Sequence, residues 1–250
     1  MRTLNLRVAD GTILGHVENC LKAGVMEDGC IAATRVGTPQ GGVISPLLAN
    51  VVLNHLDWEL QKEGYEFVRY ADDFVVMCRT RAQAEEARAF VERIVEGQLK
   101  LTLHPEKTRV VQYHKAFDFL GFTIGRRRTQ MREKAVQAFK TKVRSQTVRS
   151  HNLDAEVIVR LNRVIRGTLN YFGAPFATGA DLFRGLDKWI RKRLRCMRKK
   201  RISRHDNHRI HNHVFVRMGL LNCHELFLQR RCHPTILPGR RGNLAGAARC

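Results

Sequence analysis

The sequence is short of acids, of paired cysteines and of long apolar runs, and each shortage excludes something. There are 23 Asp and Glu against 44 Lys and Arg, giving a formal net charge of +21. That excess points to a polyanionic partner, most simply a nucleic acid. No stretch of roughly 18 apolar residues occurs, so the sequence given holds no transmembrane helix and no membrane partner is expected. Met1 to Asp10 lacks the apolar segment of a secretory signal. The 7 cysteines are odd in number and include no C-x-x-C pair. Free thiols in a reducing compartment are the natural expectation, with the bacterial cytoplasm as default and an organelle as alternative. No internal repeat is visible. The hydrophobic share of 44% is too high for a disordered polycation, so buried cores are expected. A length of 250 residues suits one large domain or two ordinary ones.

The charge is unevenly spread. Residues 1–125 carry 14 basic and 16 acidic side chains, whereas residues 126–250 carry 30 and 7. The whole excess therefore lies in the second half. A step of this size marks two units with different tasks and exceeds what solubility alone requires.

Periodicity in the first half predicts mixed helix and strand. Ile13, Leu14, Val17, Cys20 and Leu21 recur at helical spacing up to Gly24. After the glycine-rich Gly37–Gly42 segment, Ser45 reads as an N-cap and Pro46 as the first residue of a helix ending near Gly64. Phe67–Tyr70 and Phe74–Cys78 read as strands joined through Ala71-Asp72-Asp73. Thr80 and Gln83 have capping-box spacing before a helix that Gly97 closes. Leu99, Leu101 and Leu103 alternate like a strand, and Arg109–Tyr113 and Phe117–Ile124 are further strand-like runs. These elements suggest a largely antiparallel sheet backed by helices.

The second half reads as helical. Amphipathic runs are centred on Val136–Val143, Val157–Leu169 and Leu182–Met197. On the third, Lys188, Arg191, Lys192, Arg195, Arg198 and Lys199 form the face opposite the apolar stripe. Such a helix can dock on a core and offer its charges to phosphates. A solvated face or a membrane-surface helix is the alternative reading.

Chemistry concentrates at Tyr70-Ala71-Asp72-Asp73. Two adjacent carboxylates on a hairpin repel each other unless divalent cations neutralise them, and Mg²⁺ favours carboxylate oxygens plus substrate phosphates. Two such ions about 4 Å apart serve phosphoryl transfer. An Asp-Asp turn by itself is common, however. Its neighbours sharpen the reading. Gly37-Thr38-Pro39-Gln40-Gly41-Gly42 and Ser45-Pro46-Leu47-Leu48-Ala49-Asn50 lie upstream. Leu103-His104-Pro105-Glu106-Lys107-Thr108 and Phe117-Asp118-Phe119-Leu120-Gly121-Phe122 lie downstream.

In this order and spacing the segments resemble the reverse transcriptases encoded by group II introns, from near Leu4 to at least Arg201. Gly167-Thr168-Leu169-Asn170-Tyr171-Phe172 is similar to that family's thumb, or maturase region. The resemblance implies an α+β fold, an incomplete polymerase palm (antiparallel sheet backed by helices) followed by an α-helical thumb/maturase domain. Residues 1–130 would be the partial palm, 131–204 the thumb/maturase region and 205–250 a basic segment containing His and Cys. The implied activity is RNA-directed DNA synthesis with Mg²⁺ and deoxynucleoside triphosphates. The implied partners are group II intron RNA and template–primer nucleic acid.

Site residues follow from the same resemblance. Asp72 and Asp73 would be catalytic metal-binding carboxylates. Tyr70 and Ala71 would lie beside the primer end and incoming nucleotide, and Gln40 and Gly41 would contact template and nucleotide. Lys107 would serve the leaving pyrophosphate. Phe119, Leu120 and Gly121 would position the primer. Arg191, Lys192, Arg195, Arg198 and Lys199 would contact nucleic-acid phosphates.

One departure sets an expectation. The family's other metal-binding Asp belongs on a strand just upstream of Met1, and the fingers belong further upstream. Asp10 abuts a helix start and does not replace that Asp. The sequence is therefore expected to be a C-terminal portion with no polymerase activity by itself. A maturase-like RNA-binding protein without polymerase chemistry and an inactive mobile-element remnant are the alternatives. His205, His208, His211, His213, Cys223-His224 and Cys232-His233 could ligate zinc, but their spacing matches no zinc pattern. A polar, RNA-facing cluster without metal is the expectation.

Overall fold

The computed structural model describes residues 1–6, 8–27, 30–32, 42–201, 205 and 209–232. Packing divides the chain into two units, Met1–Gln112 and Tyr113–Cys250. The division precedes the palm–thumb boundary expected at 130, because the segment from Tyr113 to Met131 packs with the helices that follow it.

In the first unit, a short α1 (Arg2–Asn5) precedes α2 (Gly11–Lys22). Asp10 caps α2 by accepting from the amides of Thr12 and Ile13, which satisfies donors the first turn cannot use. Then come β1 (Val25–Glu27) and β2 (Cys30–Ala32), paired antiparallel. Helix α3 (Ser45–Lys62) starts one residue earlier than expected: Ile44 is its N-cap and Ser45 its first residue. Strands β3 (Glu66–Tyr70) and β4 (Asp73–Met77) form a hairpin whose register pairs Tyr70 with Asp73. Asp73 is therefore a strand residue rather than part of the turn. Helix α4 (Arg81–Glu92) is capped by Thr80, whose hydroxyl accepts from the Gln83 amide. It runs into a wider π turn over Arg93–Gln98, so Gly97 lies inside the helical segment rather than closing it. Leu56 and Leu60 of α3 meet Val91, Ile94 and Val95 in a small core that Phe67, Phe74 and Val76 cover.

Two strands expected in this half are absent. Leu99–Leu103 is irregular because its backbone donors close the helical end: Leu99 N bonds Ile94 O and Leu101 N bonds Val95 O, both at 2.9 Å. Leu99 and Leu103 still reach the core, so their alternation reports burial without a ladder. Arg109–Gln112 is also irregular, and Tyr113–Lys115 is one turn of 3-10 helix.

The second unit opens with three short strands, β5 (Phe117–Phe119), β6 (Phe122–Ile124) and β7 (Thr129–Met131). Phe117–Ile124 is thus a hairpin rather than one strand. Among the described residues the strands form three small antiparallel sheets, not one large sheet. Helices α5 (Glu133–Gln146), α6 (Ala155–Phe172) and α7 (Ala180–Lys199) match the three amphipathic runs. Two shorter ones follow, α8 (Asn212–Arg217) and α9 (Cys223–Cys232). Their apolar faces share one core containing Val143, Leu161, Ile165, Leu194, Phe215 and Phe227, each at most 1% exposed. Buried Asp187 of α7 caps α9 from outside, accepting from the amides of Cys223 (2.8 Å) and His224 (2.9 Å).

Phe122 joins the sheet to these helices. Its ring lies 5.7, 5.1 and 5.4 Å from those of Tyr171, Phe172 and Phe176. Phe122→Ala removes these ring contacts and leaves a cavity at a 6% exposed position. It should destabilise the unit by about 3–5 kcal/mol, read as an earlier urea unfolding midpoint. An unchanged midpoint would show that this junction does not hold the sheet to the helices.

Candidate active site and nucleic-acid surfaces

The β3–β4 hairpin turns through only two residues, Ala71 and Asp72. Alternation along the strands puts Phe67, Arg69, Phe74 and Val76 on one face and Tyr70 and Asp73 on the other. Tyr70, Asp72 and Asp73 are all exposed. Ala71 has φ +55°, a left-handed conformation that costs a residue with a Cβ roughly 1–2 kcal/mol.

A guanidinium holds that turn. Arg69 points toward α3, where Nε donates to Asp57 Oδ1 at 2.8 Å and Nη2 to Asp57 Oδ2 at 2.5 Å. Nη1 donates to Asn50 Oδ1 at 2.7 Å and to Ala71 O at 2.9 Å. The arginine fork is thus fixed on both edges, and one arm grips the strained residue's carbonyl. The Asp57 hydrogen bond holds Arg69 above its ordinary pKa, against the opposing effect of burial. Sequence reasoning missed Arg69, Asp57 and Asn50. The available signal was a charged residue at an inward strand position between Phe67 and the turn, which demands a buried partner.

The carboxylates of Asp72 and Asp73 have no hydrogen bond or ion pair among the described residues. They are hard oxygen donors free of a competing cation. Such a pair fits Mg²⁺, which commonly uses one or two carboxylates and completes its shell with water and substrate phosphate. No group of three His, Cys, Asp or Glu able to hold a metal occurs among the described residues. Lys107 is exposed on a turn closed by the Thr108 amide onto His104 O at 2.9 Å, and it pairs with neither Asp72 nor Asp73. Gln40 and Gly41, the expected template and nucleotide contacts, lie outside the described residues.

In the second unit, Phe119 pairs with Phe122 around a two-residue turn, Leu120 (φ +48°) and Gly121 (φ +78°). Positive φ at both positions is the hairpin turn that matches strand twist. Tyr171 Oη donates to Leu120 O at 2.8 Å, and the Arg132 amide donates to Gly121 O at 2.9 Å. A Cβ on Gly121 would meet the Phe172 ring at 3.4 Å, so glycine also permits the close approach. The Phe119-Leu120-Gly121 turn is therefore seated on the end of α6.

The basic face of α7 borders a groove of about 470 Å³ lined by Lys188, Arg191, Lys192, Arg195, His211 and Asn212. Lys192, Arg198 and Lys199 are exposed. Arg195 departs from the expected solvent face. It is 8% exposed, donates to Ile210 O (2.9 Å) and Asn212 Oδ1 (2.8 Å), and lies over the Phe215 ring. Burial first, and then the neighbouring Arg191 charge, lowers its pKa. Arg195 thus braces the groove wall. Helical spacing alone did not reveal this, because the segment around residue 210 returns over that face. Burial first, and then the Asp187 carboxylate, push the Cys223 thiol pKa up. His208 and His233 lie outside the described residues.

Arg69→Ala leaves Asp57 part-buried without its partner and frees the Ala71 carbonyl. A cost of about 3 kcal/mol is expected, read as roughly 100-fold faster hydrogen exchange along β3 and β4. Arg69→Lys should recover only part of the protection, since an ammonium cannot reproduce the fork. Unchanged exchange in Arg69→Ala would show that the hairpin holds itself.

Comparison with known proteins places these features in a family. Residues 9–124 match the family Reverse transcriptase (RNA-dependent DNA polymerase). Residues 136–215 match the Group II intron, maturase-specific domain. The chain is 31% identical over 170 residues to protein YkfC of Escherichia coli, covering 54% of this chain and 45% of that protein. It is 25% identical over 190 residues to the group II intron-encoded protein LtrA of Lactococcus lactis subsp. cremoris, covering 50% and 32%. Over 74 residues it is 32% identical to the retron Ec86 reverse transcriptase of Escherichia coli, covering 28% and 23%. The chain thus spans less than half the length of these curated relatives. With a reverse transcriptase match over the carboxylate hairpin and a maturase match over the basic helices, the chain belongs to the group II intron-type reverse transcriptases and maturases.

Proposed function

We propose that the chain supplies the Asp-Asp metal hairpin and the RNA-gripping helices of an RNA-directed DNA polymerase that also binds group II intron RNA. The observation that carries this reading is the pair of exposed, unpartnered carboxylates on a turn fixed from behind by Arg69. Residues 1–130 would be the partial palm, 131–204 the thumb and maturase region, and 205–250 a basic extension.

Asp72 and Asp73 would hold Mg²⁺. When bound, the metal would lower the charge cost of nucleotidyl transfer at the attacking and leaving oxygens. The chain's own contribution is placement. Arg69, held by Asp57, grips the Ala71 carbonyl and so fixes the turn, and the short turn keeps the carboxylates adjacent. Tyr70 and Ala71 would contact the primer end and deoxynucleoside triphosphate, with Gln40 and Gly41 on the template side. Lys107 would place an ammonium near the departing pyrophosphate. Phe119, Leu120 and Gly121 would orient the primer strand from a turn too constrained to yield. Arg191, Lys192, Arg198 and Lys199 would bind phosphates, with Arg195 supporting the groove. No described helix is long and apolar enough to cross a membrane.

A second reading, a maturase-like RNA binder without polymerase chemistry, draws on the basic groove along α7. Two measurements separate them. Fe²⁺ in place of Mg²⁺, with ascorbate and peroxide, should cut the backbone near residues 70–74. Excess Mg²⁺ and Asp72→Asn should each suppress the cut. Absence of that cut would remove the metal site from the account. Primer extension on an RNA template by this chain alone, abolished by Asp72→Ala, would overturn the expectation that this portion is inactive by itself. RNA binding without the metal-dependent cut favours the second reading.

A further inference from the structure

A second basic feature of the second unit shares no lining residue with the α7 groove and lies on the polar face of the β5–β6–β7 sheet. The register pairs Asp118 with Thr123 and Thr123 with Gln130, so these three share a face. Phe119, Phe122 and Met131 occupy the opposite face, where Phe122 and Met131 join the core. Strands β6 and β7 are joined by Gly125-Arg126-Arg127-Arg128, a turn closed by the Gly125 amide onto Arg128 O at 2.9 Å. All three arginines are exposed. None of the three guanidinium groups has a hydrogen bond or ion pair among the described residues.

This arrangement is held in place. Thr178 secures β7 at both polar groups of Thr129: its hydroxyl accepts from the Thr129 amide at 2.8 Å, and its amide donates to Thr129 O at 2.7 Å. A Cβ on Gly125 would lie 3.0 Å from Ala116 Cβ, so the turn packs tightly against the segment that precedes β5. The result is a trough of about 410 Å³ with Thr123 and Gln130 in its floor and His114 and the three arginines along its walls. The carboxylate on this face, Asp118, is already engaged by the Thr123 hydroxyl at 2.6 Å.

Three adjacent guanidinium groups repel one another, and none is paired with a carboxylate among the described residues. Phosphate is the anion their forks match best, through paired N–H donors. The floor offers the Gln130 amide and the Thr123 hydroxyl oxygen, whose proton is donated to Asp118, instead of an apolar surface, which suits a sugar or base edge better than a peptide side chain or an acyl chain.

We infer that the Arg126–Arg128 turn and the Thr123–Gln130 floor form a second nucleic-acid site, one that takes the phosphodiester backbone of the bound strand. The inference rests on the proposed nucleic-acid-binding function and adds to it a site separate from the α7 face.

The test measures binding of a fluorescein-labelled RNA hairpin to the full chain by anisotropy, between 50 and 300 mM KCl. The key variant is Arg126→Ala/Arg127→Ala/Arg128→Ala. A charge-matched control is Lys134→Ala/Lys142→Ala/Arg149→Ala, at exposed positions of and after α5. If the turn contacts two or three phosphates, the log–log salt slope should fall by about 2–3 in the key variant. Affinity at 100 mM salt should weaken by roughly 100-fold, and the control should change the slope by less than about 1. Gln130→Ala should lower affinity a few-fold with the slope unchanged, because it removes a neutral contact. An equal slope change in both triple variants would overturn the inference in favour of a general charge effect. A retained slope in the key variant would also overturn it while leaving RNA binding itself intact. If the unaltered chain fails to bind RNA at any salt, the underlying functional reading fails instead. Loss of binding to phosphatidylserine vesicles, with the RNA slope unchanged, would assign the turn to a lipid headgroup and overturn the nucleic-acid inference.

Discussion

The placement of a few carboxylates governs the charge of the second half of this chain. Residues 126–250 contain seven acids against thirty bases. Every described one of those acids stands at a helix N-terminus. Glu133, Glu156, Asp181 and Glu225 lie in first turns, Asp154 caps α6, and Asp187 caps α9 from a neighbouring helix. There they meet unsatisfied amides and the positive end of the helix dipole, where a carboxylate is most useful for stability. The helices are stabilised, and among the described residues few acids are left to neutralise the basic faces. Arg160 and Arg184 reach such an acid within a turn of their own helix. Most other bases are left to solvent or to a polyanion.

The first unit uses its acids differently. Glu18, Glu59, Glu85 and Glu92 pair with a lysine or arginine three or four residues away on exposed helix faces. Such pairs contribute a few tenths of a kcal/mol each and leave little net field. Asp57 instead fixes Arg69, and through it the carbonyl of Ala71. Asp72 and Asp73 remain the exposed carboxylates at that turn. The two halves are thus complementary in kind: one withholds cations from a carboxylate pair, and the other withholds acids from basic surfaces.

The sequence made the long elements legible because their signals are local. Three amphipathic runs gave α5, α6 and α7, and the Asp-Asp turn between two apolar runs gave the β3–β4 hairpin. What failed depends on tertiary partners. Leu99, Leu101 and Leu103 alternate as a strand should, but the chain spends its donors on the helical end and finds no neighbour to pair with. Phe117–Ile124 reads as one strand until Leu120 and Gly121 both take positive φ. Arg195 sits on the polar face by helical arithmetic, yet residues 210–212 fold over it. The support beneath the candidate metal site was hidden for the same reason, since Asn50 and Asp57 meet Arg69 only once α3 lies behind the hairpin.

On the proposed function, charge segregation directs the phosphate backbone of structured RNA chiefly to the second unit. Acetylation footprinting of lysines, with and without a structured RNA at saturating concentration, tests it most directly. The account predicts strong RNA protection at Lys188, Lys192 and Lys199, and little at Lys22 and Lys62, which are paired with Glu18 and Glu59 in the first unit. Equal protection across both units, or protection confined to the first, would contradict it.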